Sequence, residues 1–355
     1  MKRLKILFYS HIINYAGTWR SHERIIEGLD RDLFEPYVFY WEQCREHNRL
    51  EAVAGLIGRQ HLIPFYRSAE KTGAERGWRP IQTDFSRIVM QHQFDIIHFA
   101  RSGYFEWPFV ERLAPVQIET NIFGYKDTSL FLDRSIAICH YIARARGDTD
   151  VVIYNPIPEA NMNGANLRKE LAIPNGAVVM GRIGRPANFT PIALEAFSHL
   201  VRRHKDLFYI IIGPCEKTRA FIEERKIPNV RLIAPTMNDA FIDAFHRTID
   251  VMLHYRSDGE VHSTAIAQAM MFGIPVISHV SNQYNGQIET IGNGGGVARD
   301  LNEYIQMTEQ LIKNPGLRSQ LSETARKTAL EKYEQKKVVQ MIQDRYIQWY
   351  RDISG

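Results

Sequence analysis

Residues 250–280 read DVMLHYRSDGEVHSTAIAQAMMFGIPVISHV, and they alternate between the patterns of a strand, a helix and a second strand. The apolar run DVMLHY predicts a buried strand. Ser263 or Thr264 can cap a helix, and Gly273 and Pro275 end it. The run PVISHV then predicts another strand. This stretch therefore predicts one strand–helix–strand unit of a parallel sheet.

The same alternation repeats along the whole chain. Apolar runs followed by helical periodicity read KILFYS, PYVFY, DIIHFA, VQIET, SIAIC and VVIYN before the turn-rich segment 155–164, and VVMGRI, YIIIG, VRLIA, DVMLHY and PVISHV after it. A chain of 355 residues is also longer than one hydrophobic core usually serves. We therefore predict an α/β protein with two doubly wound Rossmann-like domains, an N-terminal domain over 1–157 and a C-terminal domain over 158–333.

Residues 334–355 predict a long amphipathic helix with no strand behind it. Its apolar side chains recur at helical spacing at Val338, Met341, Ile342, Tyr346, Trp349 and Tyr350. We expect this helix to return to the N-terminal domain and to hold the two domains together. The alternative is a helix packed only on the domain that precedes it, because the pattern does not specify the surface that receives it.

Charge and composition exclude several classes of function. The 44 basic and 40 acidic residues are interspersed, and the net charge of +4 gives no support to a nucleic-acid partner. The three cysteines have neither disulfide-framework nor zinc spacing, which favours a reducing cytoplasm. No apolar run approaches the roughly 18 residues that span a bilayer. We expect a cytoplasmic protein whose slight basic excess permits peripheral contact with the inner face of a membrane.

The turn before the 263–272 helix contains residues suited to ligand binding. Ligands of open parallel sheets bind beyond the carboxyl ends of the strands, where helix N-termini present free amides. Glu260 would lie there beside the amides of His262, Ser263 and Thr264, and Gln268 would present its side-chain amide from two turns along the helix. The alternative is that the Glu and Gln are solvated surface or capping residues.

A second such loop occurs in residues 178–197, VVMGRIGRPANFTPIALEAF, which predict a strand, a Gly/Arg loop and a helix. Guanidinium groups match phosphate oxygens, and glycine lets the backbone approach them closely. Arg182 and Arg185 therefore suit a diphosphate. For Arg185, an ordinary surface charge is the alternative.

These stretches resemble the family-four glycosyltransferases of GT-B fold. The family's signature is a Glu-x7-Glu loop and helix followed by Ala-Met-Ala-x-Gly-x-Pro-Val-Ile. The residues that match it in step are Glu260, Ala269, Met270, Gly273, Pro275, Val276 and Ile277. The sequence departs from the signature at the second acid, which is Gln268, and at the Phe-Gly pair, which is His262-Ser263.

The resemblance implies a GT-B fold, with two Rossmann-like domains facing a central cleft. It also implies that Glu260 touches the donor sugar and that Gln268 replaces the acid that binds the ribose, with weaker hydrogen bonds than a carboxylate forms. The loops at Gly213 and at Pro235 and Thr236 are expected to border the base and the ribose.

The resemblance assigns the Gly/Arg loop to the departing diphosphate. Gly181 and Arg182 match the family's Gly-Arg pair, whose arginine neutralises the nucleoside diphosphate as it leaves. The family's lysine would fall near Asn188 and is absent, so we expect Arg185 to replace it.

The first half matches the family less specifically. Gly17 lies between a predicted strand and helix, where related enzymes keep a Gly-Gly loop near the donor phosphates. Trp19, Arg20 and His22 follow at the expected mouth of the cleft, where a planar ring suits stacking on a sugar. Packing of the helix is the alternative for this cluster.

Two further positions are expected on the acceptor side. His98 ends another predicted strand, where many relatives have His-x-His, and Asn121 stands where the family often has a histidine. The alternative for His98 is a core histidine whose hydrogen bonds are satisfied.

The resemblance therefore implies a retaining, metal-independent glycosyltransferase with Glu260 and Arg182 as its catalytic residues. It would move a sugar from a nucleoside diphosphate sugar to a glycan, a glycolipid or another hydroxyl acceptor, without a cofactor, and polysaccharide biosynthesis is the family's common theme. Two alternatives stay open. One is a non-catalytic nucleotide- or glycan-binding protein of transferase descent, which Gln268 suggests, and the other is a GT-B nucleotide-sugar epimerase.

Overall fold

The computed structural model describes residues 2–9, 13–14, 17–42, 47–65, 82–101, 111–124, 129–147, 149–185 and 189–354. The chain divides into two compact units. The first unit comprises Met1–Pro156 and Gln335–Gly355, and the second comprises Ile157–Glu334. Each unit is built on a parallel sheet with flanking helices. The predicted α/β class with two Rossmann-like domains is confirmed.

The strands of the first unit, as far as it is described, are β1 (Leu4–Tyr9), β2 (Phe34–Trp41), β3 (Leu62–Phe65), β4 (Ile96–Arg101), β5 (Val116–Asn121), β6 (Arg134–Ala137) and β7 (Val151–Val152). They form a sheet in the order β3-β2-β1-β4-β5-β6-β7, and every neighbouring pair is parallel. The chain starts at a central strand, builds the sheet outward on one side and then continues on the other. This is the doubly wound topology.

The sheet of the first unit is buried on both faces. In β1, Ile6 and Phe8 belong to one apolar cluster, whereas Leu7 and Tyr9 belong to another. Successive side chains of a strand point to opposite faces, so β1 is apolar at every position from Ile6 to Tyr9. The helices on these faces are α1 (Gly17–Gly28), α2 (Leu50–Ile57), α3 (Gln82–His92) and α4 (His140–Arg146), with a short 3-10 helix at Arg59–His61.

The strands of the second unit, within its described part, are β8 (Val178–Ile183), β9 (Leu207–Ile212), β10 (Val230–Ile233), β11 (Val251–Leu253), β12 (Gly259–Glu260), β13 (Val276–His279), β14 (Tyr284–Asn285) and β15 (Gly295–Ala298). Six of them form a parallel sheet in the order β10-β9-β8-β11-β13-β15, and β12 pairs separately with β14. The strand order reverses between β8 and β11, which is where ligands bind in such sheets.

The helices of the second unit are α5 (Ile192–Val201), α6 (Glu216–Arg225), α7 (Asp239–His246), α8 (Thr264–Met271), α9 (Gln287–Ile291), α10 (Leu301–Lys313) and α11 (Pro315–Lys332). Tyr304 of α10 connects this helix to the sheet. Its buried hydroxyl shares its proton between the carbonyls of His254 (3.0 Å) and Ile277 (3.1 Å). In the described part of the chain, no helix combines the length and apolar character needed to cross a membrane.

Helix α8 forms as the sequence predicted. The Ser263 hydroxyl accepts a hydrogen bond from the amide of Ile266 at 3.4 Å and caps the N-terminus. Gly273 follows the helix with a φ of +72°, a conformation that side chains with a Cβ disfavour. The capping residue and the terminating glycine are local signals, so the bounds of this helix could be predicted from the sequence.

The last helix, α12 (Gln335–Ser354), belongs to the first unit. Val338, Ile342, Tyr346 and Trp349 of its apolar face are buried in the same cluster as β1. Met341 was included in that face by the prediction, but it is 47% exposed and does not take part in the core. The face of α12 that packs into the core is therefore narrower than the pattern of apolar residues predicts.

We expect Gly181→Ala to destabilise the second unit. A Cβ at this position of β8 would lie 2.5 Å from Ile249 Cδ1 and 2.8 Å from Phe245 Cζ, both of them buried side chains. Overpacking of this kind costs about 1–3 kcal/mol of unfolding free energy, measurable by urea denaturation. Gly176→Ala is the control, since an added Cβ there meets nothing within 4 Å. Equal stability of the two variants would contradict the close packing of β8.

Candidate functional site

The candidate site lies at the carboxyl end of the sheet of the second unit, beside the neighbouring strands β8 and β11, between which the strand order reverses. The loops after β8, β9 and β10 meet there. Gly213, after β9, has a φ of +77°, and a Cβ on it would lie 2.6 Å from the Gly184 carbonyl oxygen and 3.9 Å from Pro235 Cγ. Glycine is therefore required for the loop after β9 to approach the loop after β8, with the loop after β10 in ordinary contact beside them.

Arg182 is the central charge of this site. The residue is only 4% exposed, and its guanidinium carbon lies 4.3 Å from the centroid of the Tyr255 ring. Its hydrogen bonds go to the main-chain carbonyls of Gly184 (3.5 Å) and Arg185 (3.3 Å). Among the described residues no carboxylate pairs with it. Buried charges in proteins are normally paired, so this guanidinium is suited to an anionic ligand.

Tyr255 provides the surface against which Arg182 rests. Its ring is buried, and Phe189 meets it edge-on with the ring centroids 6.0 Å apart. Burial raises the pKa of the Tyr255 phenol, and the charge of Arg182 opposes that rise. The phenol therefore stays protonated at neutral pH, and the interaction with Arg182 is that of a cation on an aromatic face.

The backbone of Glu260 is fixed by the short β12–β14 pair. Its amide donates to Gln287 Oε1 at 3.3 Å, and its carbonyl accepts from the Gly286 amide at 2.7 Å. Gly286 cannot carry a side chain, because a Cβ would lie 1.7 Å from the Val261 carbonyl oxygen. The position of Glu260 is thus set by the fold and not by a mobile loop.

The Glu260 carboxylate is held by neighbours of the same loop and strand. Arg256 Nη1 donates to Glu260 Oε2 at 3.1 Å, and His254 Nε2 lies 3.5 Å from Oε1. The other edge of the Arg256 guanidinium pairs with Asp258. Nε donates to Oδ1 at 2.6 Å and Nη2 donates to Oδ2 at 2.9 Å. The hydrogen bonds to Asp258 raise the pKa of Arg256 and lower the pKa of Asp258. The Glu260 side chain remains 15% exposed, so it is oriented and still accessible.

The predicted residues at the start of α8 serve the fold with their side chains. Ser263 is the cap, and the buried His262 ring lies with Nδ1 3.3 Å from Thr290 Oγ1 and packs on Tyr333 at 5.4 Å. Burial lowers the pKa of His262 to about 4, so the ring is neutral at pH 7. Thr264 is half-buried. These residues can therefore bind a ligand through the backbone amides at the start of the helix.

The remaining predicted donor-side residues differ in their surroundings. Gln268 is half-buried on α8, and its side-chain amide makes no hydrogen bond with any residue that the structure describes. Arg185 is exposed, and Asn188 lies outside the described residues. Thr236 accepts a hydrogen bond from the Asn238 amide at 3.2 Å and so shapes its own loop.

Gly181 has a packing role in the structure. It lies within β8 and is paired with Met252 of β11, and its missing Cβ leaves the space that Ile249 and Phe245 fill. The expectation that this glycine lies near the donor diphosphate stays a prediction, and the structure adds a packing reason for the same residue. Close contact between β8 and α7 requires it.

The predicted acceptor-side residues on α1 lie in the core of the first unit. Gly17 begins the helix, and Trp19 and His22 are each 1% exposed. The His22 ring lies 4.8 Å from the ring of His98 and makes no hydrogen bond within the described residues. Burial lowers the pKa of His22 to about 3. Arg20 pairs with Glu23 at 2.8 Å. This placement favours packing over the stacking of Trp19 on a sugar.

His98 and Asn121 are completely buried in the same unit. His98 Nδ1 lies 2.6 Å from the Tyr346 hydroxyl, and Nε2 lies 2.7 Å from Thr120 Oγ1. Asn121 accepts from the Gly124 amide at 2.7 Å. Both side chains are occupied within the fold, which favours the alternative of a satisfied core histidine and leaves no group of theirs for an acceptor.

Three important residues were not singled out by the sequence. His254, Tyr255 and Arg256 follow the strand β11 directly, and they contact Glu260 or Arg182. Their signal was present, because residues immediately after a buried parallel strand lie at the ligand-binding edge of the sheet. The family signature begins only at Glu260, further along the same loop, and so does not include these three residues.

Solved structures resemble the chain over almost its whole length. A glycosyltransferase from Rickettsia africae ESF-5 has a TM-score of 0.76 at 14% identity, covering 98% of this chain and 99% of that one. Anabaena Alr3699/HepE in complex with UDP-glucose has a TM-score of 0.73 at 16% identity, covering 96% and 99%. The lipopolysaccharide outer core galactosyltransferase WaaB in its apo form has a TM-score of 0.67 at 14% identity, covering 96% and 98%. At these identities the likeness establishes the fold, and it confirms the predicted GT-B fold class.

Sequence comparison identifies the second unit more directly. A comparison with curated proteins finds no match. Residues 166–328, however, match the family described as glycosyl transferases group 1. This range contains Arg182, Tyr255, Glu260 and α8, which form the site described above. The match lies wholly within the second unit, whose sequence therefore resembles this family over residues 166–328.

Proposed function

We propose that this protein transfers a sugar from a nucleoside diphosphate sugar to a hydroxyl of a glycan or lipid-linked glycan, with retention of the anomeric configuration. The observation that carries the proposal is the buried guanidinium of Arg182, which rests on Tyr255 without a carboxylate partner among the described residues. A diphosphate supplies the negatively charged partner that this guanidinium lacks. The match of residues 166–328 to the glycosyl transferases group 1 family supports the same chemistry.

The proposed role of Arg182 is to stabilise the leaving group. As the bond between the anomeric carbon and the diphosphate oxygen breaks, negative charge grows on the nucleoside diphosphate. A preorganised charge in a buried site stabilises that growth without having to reorganise. The carbonyls of Gly184 and Arg185 and the Tyr255 ring fix the guanidinium in advance. The amides at the start of α8 and the exposed Arg185 are proposed to assist.

The proposed role of Glu260 is to orient the donor sugar. Its carboxylate is accessible, and it is positioned by the β12–β14 pair and by Arg256. A carboxylate so held can accept hydrogen bonds from sugar hydroxyls and fix the face that the anomeric carbon presents. Arg256 is a positioning residue in this scheme, because it acts through Glu260.

Retention is proposed to follow from attack on the face that the diphosphate leaves. The acceptor oxygen forms its bond to the anomeric carbon while the bond to the diphosphate oxygen breaks. The acceptor's proton passes to an oxygen of the departing phosphate, which becomes the base for the step. The products are the glycoside and the nucleoside diphosphate, so charge and protons balance without a separate side-chain base.

UDP-glucose is the first donor to test, because Anabaena Alr3699/HepE, one of the similar structures, is in complex with it. A lipid-linked glycan is the first acceptor class, because WaaB is a lipopolysaccharide outer core galactosyltransferase. The proposal includes a role in polysaccharide or glycolipid biosynthesis at the cytoplasmic side of a membrane, without a metal or other cofactor. The donor and the acceptor class rest on the likeness to those two proteins. The pathway, the location and the absence of a cofactor rest on the sequence and its resemblance to family-four glycosyltransferases.

A second candidate is a nucleotide-binding protein of transferase descent that has no turnover. Two observations favour it. Arg256 already pairs with Glu260, and residue 268 is a glutamine where the family has its second acid. Tight binding of UDP combined with neither transfer nor donor hydrolysis would favour this candidate over the transferase.

We expect Arg182→Gln to lower kcat/KM with UDP-glucose at least about tenfold, as measured by UDP release with and without acceptor. The fold should be retained, because the substitution removes a buried charge that has no carboxylate partner within the described chain. Thermal unfolding of the variant verifies this second expectation.

Arg231→Gln is the matched control for Arg182→Gln. Arg231 also lies near an aromatic ring, Phe208, at 5.2 Å, and donates to a main-chain carbonyl, that of Leu171. It is elsewhere in the second unit, on β10. If both variants keep wild-type kinetics, or lose activity equally, the assigned role of Arg182 is wrong.

We expect Gln268→Glu to tighten UDP binding about fivefold in a calorimetric titration, because a carboxylate forms stronger hydrogen bonds with ribose hydroxyls than an amide does. The two side chains have nearly the same shape, so the change isolates the charge. Gln320→Glu, on the exposed face of α11, is the control for a general effect of added negative charge. Weaker UDP binding by Gln268→Glu would place the ribose elsewhere.

A further inference from the structure

The second unit has a groove at the opposite end of its sheet from Arg182. Its volume is about 590 Å³, and it is lined by Asp250, which precedes β11, and Pro275, which precedes β13. The groove therefore lies at the amino ends of the parallel strands. The six residues of β8 span roughly 20 Å, so the groove is distinct from the site at the carboxyl ends. Its size is in the range of small-molecule sites.

His246 is a polar group of this groove that the fold itself does not use. It is the last residue of α7, it is 1% exposed, and it lines the groove. Its ring stacks on Phe272 with the centroids 5.0 Å apart. The Ile242 carbonyl lies near the ring, but neither ring nitrogen makes a well-aligned hydrogen bond with a described residue. Buried polar groups are seldom left without a partner, since desolvation is then uncompensated.

The protonation state of His246 defines what it can offer a ligand. Burial lowers its pKa to about 4, and the Ile242 carbonyl opposes this only in part. The ring is therefore neutral at pH 7 and has one N–H donor and one acceptor nitrogen. It can bind an anion by a hydrogen bond, whereas the positive charge must come from other residues.

Two arginines supply positive charge to the groove. Arg247 donates to the carbonyls of Ala165 (3.0 Å) and Asn161 (2.6 Å), and Arg318 donates to the carbonyl of Leu311 (2.5 Å). These bonds orient the two guanidinium groups without neutralising them. Over the described ranges, neither arginine is ion-paired with a carboxylate.

The carboxylates near the groove do not cancel this charge. Asp250 lines it, but its Oδ2 already accepts from Arg168 Nη2 at 3.1 Å and from the Val179 amide at 2.7 Å. Asp243, four residues before Arg247, interacts electrostatically with that arginine but does not line the groove, and Arg318 has no such partner among the described residues. The groove is therefore positive, with a neutral hydrogen-bonding ring in its wall.

We propose that this groove binds the phosphate group of a small phosphorylated molecule, with His246 donating a hydrogen bond and Arg247 and Arg318 supplying the charge. The hydroxyls of Ser319 and Ser322 line the same groove and add donors. Phosphate is favoured over carboxylate because its three terminal oxygens can use this many donors, whereas a carboxylate has two oxygens. The phosphate can belong to a soluble metabolite or to a lipid headgroup.

The test uses the full chain with carbon-13-labelled histidine rings, titrated with glycerol 3-phosphate and inorganic phosphate and followed by NMR. We expect the His246 ring resonance to shift saturably. His246→Phe identifies that resonance by its loss. Phenylalanine can stack on Phe272 but cannot form the hydrogen bond, so this variant should fold and bind glycerol 3-phosphate at least about tenfold more weakly by calorimetry.

Arg318→Gln and Arg326→Gln are the matched pair. Both arginines lie on α11 and donate to main-chain carbonyls, Arg326 to that of Met271 at 2.7 Å, but only Arg318 lines the groove. We expect Arg318→Gln to weaken binding at least about fivefold and Arg326→Gln to leave it unchanged. Equal effects of the two variants would overturn the proposal.

A vesicle-binding experiment distinguishes a lipid headgroup from a soluble metabolite as the source of the phosphate. Cosedimentation with phosphatidic acid vesicles that is lost in Arg318→Gln assigns a lipid headgroup. A saturable His246 shift with glycerol 3-phosphate and no cosedimentation assigns a soluble metabolite. The proposal is overturned if the His246 resonance does not move with glycerol 3-phosphate up to about 20 mM, where a millimolar site would be filled.

Discussion

The candidate site depends on one electrostatic constraint, the buried charge of Arg182 at the carboxyl ends of the paired strands β8 and β11. The guanidinium rests on the Tyr255 ring and donates to the carbonyls of its own loop, and the described chain offers it no carboxylate. A charge held in this way costs stability in the free protein, and an anionic ligand relieves that cost.

The described part of the site is fixed by close backbone contacts at the strand ends and by the short β12–β14 pair. Gly213 and Gly286 permit backbone approaches that a Cβ would forbid, and Tyr304 ties α10 to the ends of β11 and β13. Glu260 is positioned from both its backbone and its carboxylate. Preorganisation of this kind is what stabilisation of a developing charge requires.

Much of the fold could be predicted from local patterns, whereas the roles of several candidate residues could not. The strands and α8 were predictable because apolar runs, a capping serine and a terminating glycine act over a few residues. His98 could not be assigned, because its partner Tyr346 is 248 residues away in the sequence. Trp19 and His22 likewise depend on packing against distant strands. A polar or aromatic residue near a strand end looks the same in a sequence whether it faces the core or a ligand.

The sequence by itself determined the alternation of strands and helices, the capped helix after Glu260 and the resemblance to a glycosyltransferase family, because each is encoded in neighbouring residues. Only the tertiary structure decided which charges lack a partner. Arg182, Arg247 and Arg318 are ordinary arginines in the sequence, and nothing there separates them from Arg168, which pairs with Asp250. The distinction arises because ion pairing and burial depend on distances between segments that the chain brings together only when it folds.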